Sequence, residues 1–433
     1  MMRPEHYIAQ LNRNVGEEVT IKGWLFNKRS SGKVAFLVVR DGTGLCQCVM
    51  VKSLLPPEVF ARFDQLTQES SVIVTGLVKA DPRQVGGHEI EVRDLQLVQI
   101  ADEYPISPKE HGIDHLMSHR HLWLRSRRQH AILRVRNEII HAIRTFFYER
   151  DFLMFDTPIL TGSIGEHAGT LFSTEYFDLG KAYLAQTGQL YGEAGAMAFG
   201  KIYTFGPTFR AEKSKTRRHL TEFWMMEPEM AYYDNEDCMD LQEELICYVV
   251  QCVLDRCKEP FEVLERDLAL LARVAPPFPR LSYDEAVAKL RSLGNDIEWG
   301  RDLGGDDETI LTQQYDRPVF VYDYPRAAKA FYMKAHPERD DVVKCADLLA
   351  PEGYGEISGG SQREDDLARL KSRIAEEGLP PATYEWYLDL RRFGSVPHSG
   401  FGLGIERTVA WICGLKHIRE AIPFARTLAR LYP

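Results

Sequence analysis

The densest chemistry in the chain lies in Thr208-Phe209-Arg210-Ala211-Glu212-Lys213-Ser214-Lys215-Thr216-Arg217-Arg218-His219-Leu220-Thr221-Glu222-Phe223. Between Arg210 and His219 there are five Lys/Arg against one Glu. A charged hairpin tip is ordinarily just solvated. Arg210, however, falls on the strand side, next to Phe209, where an unpaired charge is expensive. A guanidinium there calls for a planar, multiply charged oxygen partner, and a polyphosphate meets that need.

A second cluster pairs Asp347 with Glu356 across Pro351-Glu352-Gly353-Tyr354-Gly355. The two glycines allow backbone to approach a ligand closely. Two carboxylates beside a polyphosphate suit Mg²⁺, which takes one or two protein carboxylates and completes its shell with phosphate oxygens. Two solvated acids in a turn would look the same in isolation.

The third cluster, Gly400-Phe401-Gly402-Leu403-Gly404-Ile405-Glu406-Arg407, runs into an apolar helix from Thr408 to Leu415. No Gly-Lys-Ser/Thr follows, so it is not a Walker loop. It has no downstream βαβ unit, so it is not a dinucleotide fingerprint either. A Gly-rich strand leading to an Arg at a helix start fits a phosphate or stacking site.

These clusters need elements to hold them. Residues 17–100 alternate in short runs (Val19 to Leu25, Val34 to Val39, Leu45 to Val51, Ser71 to Gly76, Glu89 to Val98), with a tight turn at Asp41-Gly42-Thr43-Gly44. Five strands in this length predict a small barrel of the oligonucleotide-binding (OB) type, although an ordinary β-sandwich shares the pattern. Residues 102–130 predict a linker, so the expected domains are 1–101, the linker, and 131–433. Apolar residues at helical spacing predict a helix over Ile132–Tyr148. A strand over Phe152–Leu160 and helices over Asp240–Val253 and Tyr283–Leu293 follow. The region 258–315 carries little chemical signal.

The 433 residues carry 53 Lys/Arg and 63 Asp/Glu, a formal net charge of −10. That argues against sequence-blind coating of DNA or RNA. Positive charge is local instead: Lys109 to Asn137 holds seven basic and two acidic residues. No apolar run is long enough for a membrane span, and the first residues do not resemble a signal peptide. The eight cysteines match no zinc spacing and suit reduced, buried thiols. A cytoplasmic enzyme with no membrane and no DNA partner is the expectation.

With these residues in view, the chain resembles the class II aminoacyl-tRNA synthetases. The helix and strand ending at Pro158 look like the first signature motif. Phe209-Arg210-Ala211-Glu212 through Phe223 looks like the second, and Gly402 to Arg407 like the third. The N-terminal barrel places the resemblance in the aspartate, asparagine and lysine subgroup. Finer strings resemble the asparaginyl-tRNA synthetases: Phe223-Trp224-Met225-Met226-Glu227-Pro228-Glu229, Asp323-Tyr324-Pro325, Lys329-Ala330-Phe331-Tyr332-Met333, Gly355-Glu356-Ile357 to Gln362-Arg363, and Trp386 to Arg391. Aspartyl enzymes usually carry Asp where Glu227 stands.

The resemblance implies an α+β protein: a five-stranded OB barrel plus a large domain built on an antiparallel sheet flanked by helices. It implies activation of asparagine with ATP and Mg²⁺, transfer to tRNA(Asn), and a homodimer. Arg210 would bridge the α-phosphate and the amino-acid carboxylate. Glu212 would orient the adenine amino group, and Arg218 and His219 would contact the phosphates. Phe223 would stack on adenine, with Arg407 on its other side. Asp347 and Glu356 would hold Mg²⁺. Arg210, Glu356 and Arg407 would thus be the catalytic residues. Arg363 would bind the side-chain carbonyl of asparagine, and Glu227 its amide. Gln189 and Glu166 would hold the α-amino end. In the barrel, Arg29, Phe36 and Gln47 match anticodon contacts, and the basic linker would touch the same RNA.

The chain departs from the family's usual pattern at His167, Thr170 and Ala425. An adenylate-forming paralogue that passes the acid to ammonia or another acceptor is the alternative. An RNA-binding regulator on an inactive synthetase fold is a third reading, opposed by Arg210, Glu356 and Arg407.

Overall fold

A computed structural model describes residues 6–107, 109–162 and 170–433. The chain divides into two compact units, Met1–His119 and Arg120–Pro433. Among the described residues no helix is long and apolar enough to cross a membrane.

In the first unit five strands close into a barrel: β1 (Glu18–Ser31), β2 (Val34–Arg40), β3 (Leu45–Val51), β4 (Ser71–Ala80) and β5 (His88–Gln99), in the order β1-β2-β3-β5-β4. Closure removes every free sheet edge. The predicted period of two is visible as burial: Ala35, Leu37 and Val39 point into the core, as do Cys46, Cys48 and Met50. The β2–β3 turn is built by Asp41, whose Oδ1 accepts from the backbone of Thr43 (2.8 Å) and Gly44 (3.2 Å), while Gly42 takes φ +87°. The helix Pro57–Gln65 between β3 and β4 was not foreseen. It presents Val59 and Phe63 to the barrel core.

The second unit is organised on an eight-stranded sheet. Its strands are β6 (Leu153–Met154), β10 (Lys201–Phe209), β11 (Glu222–Ala231), β12 (Arg280–Ser282), β13 (Val319–Tyr322), β14 (Cys345–Ala350), β15 (Gly355–Gln362) and β16 (His398–Gly404). Their order is β12-β13-β14-β15-β16-β11-β10-β6. A small second sheet holds β7 (Leu160–Thr161), β8 (Ser173–Glu175) and β9 (Lys181–Leu184). The large sheet is antiparallel through its centre and parallel at its two edge pairs, β12–β13 and β10–β6. It is therefore mixed rather than wholly antiparallel. Helices Arg127–Tyr148, Asn235–Arg256 and Ile405–Cys413 supply buried apolar faces to this unit.

One expected element is different. The strand predicted over Phe152–Leu160 is two short strands in two sheets, β6 pairing with β10 and β7 with β9. Pro158 has no N–H to give a ladder, so pairing cannot run through it. The stretch 102–130 is also not irregular throughout: it contains helices Ile113–Ser118 and Arg120–Trp123 and the start of Arg127–Tyr148. Its positive charge is partly committed. Arg120 is 1% exposed and donates to the carbonyls of Ile422 and Pro423. Arg136 pairs with buried Glu406, Arg128 with Glu420 and Arg134 with Glu259.

Candidate active site

Strands β10 and β11 form the hairpin foreseen around the charged loop, with Phe209 opposite Glu222. Arg210 leaves the end of β10, and its guanidinium carbon lies 5.4 Å from the centre of the Phe223 ring. On β11, Glu227 and Glu229 lie two residues apart on one face of the strand and are both buried, as are Met226, Pro228 and Met230. Strands β14 and β15 bring Asp347 and Glu356 together. A Cβ placed on Gly359 would lie 3.1 Å from both Asp347 Oδ1 and Glu356 Oε1. Strand β16 leads into the helix that carries Arg407, whose Nη1 donates to Glu356 Oε2 at 2.7 Å.

Two adjoining chambers result. The larger is lined by Thr187, Gln189, Glu227, Glu229, Lys329, Tyr332, Asp347 and Arg363. The smaller is lined by Arg218, His219, Phe223, Glu406 and Arg407. Arg210, Glu212, Met225, Glu356 and Gly402 belong to both. Arg210 thus stands where the chambers meet.

In the larger chamber, Glu227 is held by three protein donors. The Thr187 hydroxyl donates to Oε1, and Gly188 N (2.8 Å) and the Thr204 hydroxyl (3.1 Å) donate to Oε2. A carboxylate accepts about four hydrogen bonds, so one acceptor position remains for a ligand. Burial pushes its carboxyl above the usual range, against the pull of those donors. Arg363 is bound by Glu229 through Nε (3.2 Å) and Nη2, and by Ser361 Oγ through Nη1 (2.7 Å). Of its five N–H groups two remain. Thr170 lines this chamber too, its hydroxyl accepting from Gln186 Nε2 at 2.8 Å. Gln189 opens the helix Gln189–Phe199. Glu166 and His167 lie outside the described residues.

At the carboxylate pair, Lys329 Nζ donates to Asp347 Oδ2 at 2.8 Å and approaches Asp302 at 3.1 Å. Burial, then the charge of Glu356, pushes the Asp347 carboxyl up to about 6 in spite of Lys329. Glu356 is held below its usual range: Arg407 and Lys329 outweigh its burial. Burial and Glu356 push Glu308 up to about 7. In the smaller chamber burial and Arg407 lower the His219 pKa. His219 lies 3.7 Å from Glu212. The Arg218 guanidinium is engaged by protein, with Glu308 (3.1 Å), Thr309 Oγ1 (2.5 Å) and the Gly305 and Gly353 carbonyls as acceptors.

Within the barrel, Arg29 and Phe36 are cross-strand partners, and the guanidinium lies 4.6 Å from the ring centre. Phe36 is on the face opposite the core, which settles against a packing role. Arg29 Nη2 donates to Gln47 Oε1 at 3.2 Å, so all three residues share one face. Gln47 is in turn fixed by Glu89 at 2.9 Å.

Sequence reasoning did not single out Glu229, Thr187, Lys329 or Glu308. Glu229 carries the one usable signal, a spacing of two from Glu227 on a strand. Glu308 comes from the region that lacked chemical signal, yet its Oε2 accepts from Glu356 N at 3.1 Å.

A five-stranded barrel unit, together with a second unit whose hairpin, acidic strand pair and glycine-rich strand converge on one site, defines a class of protein. The chain belongs to the class II tRNA synthetases of the D, K and N group: that family model matches residues 113–428, and the model for the OB-fold nucleic acid binding domain matches residues 19–98. Among relatives, it is 57% identical to the asparagine–tRNA ligase of Chloroflexus aurantiacus over 436 residues, spanning 99% of both chains. It is 58% identical to that of Symbiobacterium thermophilum over 432 residues, spanning 98% of this chain and 99% of the relative. Among solved structures it matches asparaginyl-tRNA synthetase from Pyrococcus horikoshii complexed with asparaginyl-adenylate, with TM-score 0.97, 48% identity and complete coverage of both chains.

Proposed function

We propose that the chain is an asparagine–tRNA ligase that works through asparaginyl-adenylate. One observation carries the reading: Arg210 stands between a chamber holding Glu227 with Arg363 and a chamber holding Phe223 with Arg407. The first set offers an acceptor and a donor suited to a carboxamide. The second offers an aromatic face and a cation suited to a nucleotide.

In the first step an asparagine carboxylate oxygen attacks the α-phosphorus of ATP, and the bond to pyrophosphate breaks. In the second a ribose hydroxyl at the 3′ end of tRNA(Asn) attacks the acyl carbon, and AMP leaves. In-line transfer at phosphorus needs positioning and charge neutralisation more than covalent help. Arg210 binds the substrate carboxylate and the α-phosphate together. Phe223 and Glu212 receive adenine, and His219 and Arg407 receive the outer phosphates. Arg218 joins them by exchanging its contacts to Glu308 and Thr309. Gln189, with Glu166, receives the α-ammonium. Glu227 accepts from the carboxamide N–H and repels an aspartate carboxylate, while Arg363 donates to the carboxamide oxygen.

Asp347 and Glu356 fit Mg²⁺. Their oxygens converge on the space above Gly359, and two carboxylates are the share a protein usually supplies to Mg²⁺ in a nucleotide site. The cation would offset phosphate charge there.

The barrel face of Arg29, Phe36 and Gln47 supports tRNA as acceptor rather than ammonia, because a stacking ring beside a cation suits splayed single-stranded bases. A homodimer is supported by apolar residues left exposed on the first-motif segment: Tyr148 at 82%, Leu153 at 44% and Met154 at 42%. Eight free cysteines fit the reducing cytoplasm.

The test is asparagine-dependent ATP–pyrophosphate exchange followed by charging of tRNA(Asn). Exchange and charging are both expected. Exchange without charging would favour the ammonia-using paralogue, and no exchange with asparagine would sink the reading.

A further inference from the structure

Behind the larger chamber lies a fully buried polar cluster that the mechanism above does not use. Glu193, one turn along the helix from Gln189, is 0% exposed. Its Oε1 accepts from Gln189 Nε2 at 3.1 Å. The Tyr387 hydroxyl lies 2.8 Å from both of its oxygens. Its Oε2 also faces Arg391 Nη2 at 2.7 Å and His398 Nε2 at 3.0 Å. Burial alone would raise this carboxyl, but Arg391 and His398 outweigh it and keep Glu193 ionised.

We propose that Glu193 is a positioning residue for amino-acid activation, setting which end of the Gln189 carboxamide faces the substrate α-ammonium. An ionised carboxylate has no proton to give, so the Gln189 amide must turn its NH₂ toward it. The carbonyl oxygen is then the end presented to the chamber that Gln189 lines. An oxygen there attracts an ammonium group, and an NH₂ would repel it. Glu193 cannot itself swing away, because Tyr387 and Arg391 hold it from the other side. The proposal rests on the asparagine-activating function above and on Gln189 receiving the α-ammonium.

Glu193→Gln tests it because the change alters a proton and barely alters volume. Arg391 and Tyr387 keep an oxygen facing them, so the new NH₂ turns toward Gln189. Gln189 then answers with its oxygen and shows its NH₂ to the substrate. The readouts are the KM for asparagine and for ATP in pyrophosphate exchange, and the inhibition constant of succinamate, which is asparagine without its α-amino group. Glu193→Gln is expected to raise the asparagine KM about 10- to 100-fold, the range for a hydrogen bond to a charged group. It should leave the ATP KM and the succinamate constant within about twofold of wild type. Gln189→Ala should do the same, and the two changes together should cost no more than the larger, since they break one interaction.

Equal weakening of asparagine and succinamate would overturn the proposal, because a merely structural role has no reason to single out the ammonium. Multiplying effects of the two substitutions would overturn it as well. Should Glu193→Gln be inert while Gln189→Ala raises the asparagine KM, the proposal fails and the role of Gln189 stands. Should Gln189→Ala be inert, that role falls and takes the proposal with it. If Glu193→Gln does not fold, Glu193→Gln with Arg391→Met removes both buried charges together and is measured by the same constants.

Discussion

Arg363 and Glu229 form a buried bidentate ion pair across 134 residues of sequence, with side-chain exposures of 3% and 0%. Glycine at 400 makes room for it: a Cβ there would lie 2.3 Å from the Glu229 carboxyl carbon. If Arg363 donates to the amino-acid side chain as proposed, its direction depends on Glu229, which accepts from its Nε and Nη2. Two acids of one strand thus stand in different settings: Glu227 is held by Thr187, Gly188 and Thr204, and Glu229 holds Arg363.

Glu229→Gln leaves Arg363 as a buried charge without its counterion, a loss on the order of 3–5 kcal/mol. Chemical denaturation should show that loss in the second unit. In exchange assays the KM for asparagine should rise while that for ATP stays near its original value. Equal loss for both substrates would mean that Glu229 supports the fold and does not aim Arg363.

Glu227→Gln tests the discrimination. Thr187, Gly188 and Thr204 already supply donors to the carboxylate, so the added amide N–H must point into the chamber or break one of these bonds. Asparagine should lose its acceptor and aspartate should lose the like charge that repels it. The ratio of kcat/KM for asparagine over aspartate should fall by about 100-fold or more, from a site that selects by hydrogen bonding. An unchanged ratio in pyrophosphate exchange would remove Glu227 from the specificity argument.

The Asp347 carboxyl, raised to about 6 by burial and by Glu356, predicts a pH-dependent need for Mg²⁺. A carboxyl must be ionised to hold the cation, and a proton competes as the pH drops through about 6. The Mg²⁺ concentration giving half-maximal exchange should therefore climb between pH 7 and pH 5, with excess Mg²⁺ restoring the rate. Asp347→Asn should flatten that dependence while raising the requirement at every pH. A half-maximal concentration that does not move with pH would count against Asp347 as a ligand.

What could be read from sequence follows from range. The barrel was legible because alternation is local: Ala35, Leu37 and Val39 face the core at a period of two, and Asp41-Gly42 marks its own turn. The charged hairpin was legible for the same reason. The pairs that tune the site are not local. Glu229 meets Arg363, Lys329 meets Asp347 and Glu308 meets Glu356 only after the sheet assembles and region 258–315 packs on it. Charge counting misled for a related reason: Arg120 and Arg136 count as basic in sequence but sit inside the domain, on backbone carbonyls and on Glu406. The strand over Phe152–Leu160 failed because its apolar run outweighed what Pro158 does to a ladder.

The barrel face gives a prediction that separates tRNA recognition from chemistry. Phe36 has its ring outward, with the Arg29 guanidinium 4.6 Å from its centre and Gln47 tied to Arg29. A base entering this face would stack on Phe36 while Arg29 offsets phosphate charge. Phe36→Ala removes the stacking surface and no core contact, so the barrel should keep its stability. Loss of one stacked base is worth about 1–3 kcal/mol, so kcat/KM for tRNA(Asn) charging should fall roughly 5- to 150-fold. Exchange without tRNA should be unchanged, because Phe36 contributes nothing to either chamber of the second unit. Phe36→Trp should retain most of the charging rate, since a larger ring still stacks. Charging unaffected by Phe36→Ala would move the anticodon contact off this face, whereas a parallel drop in tRNA-free exchange would show that the substitution had damaged more than RNA binding.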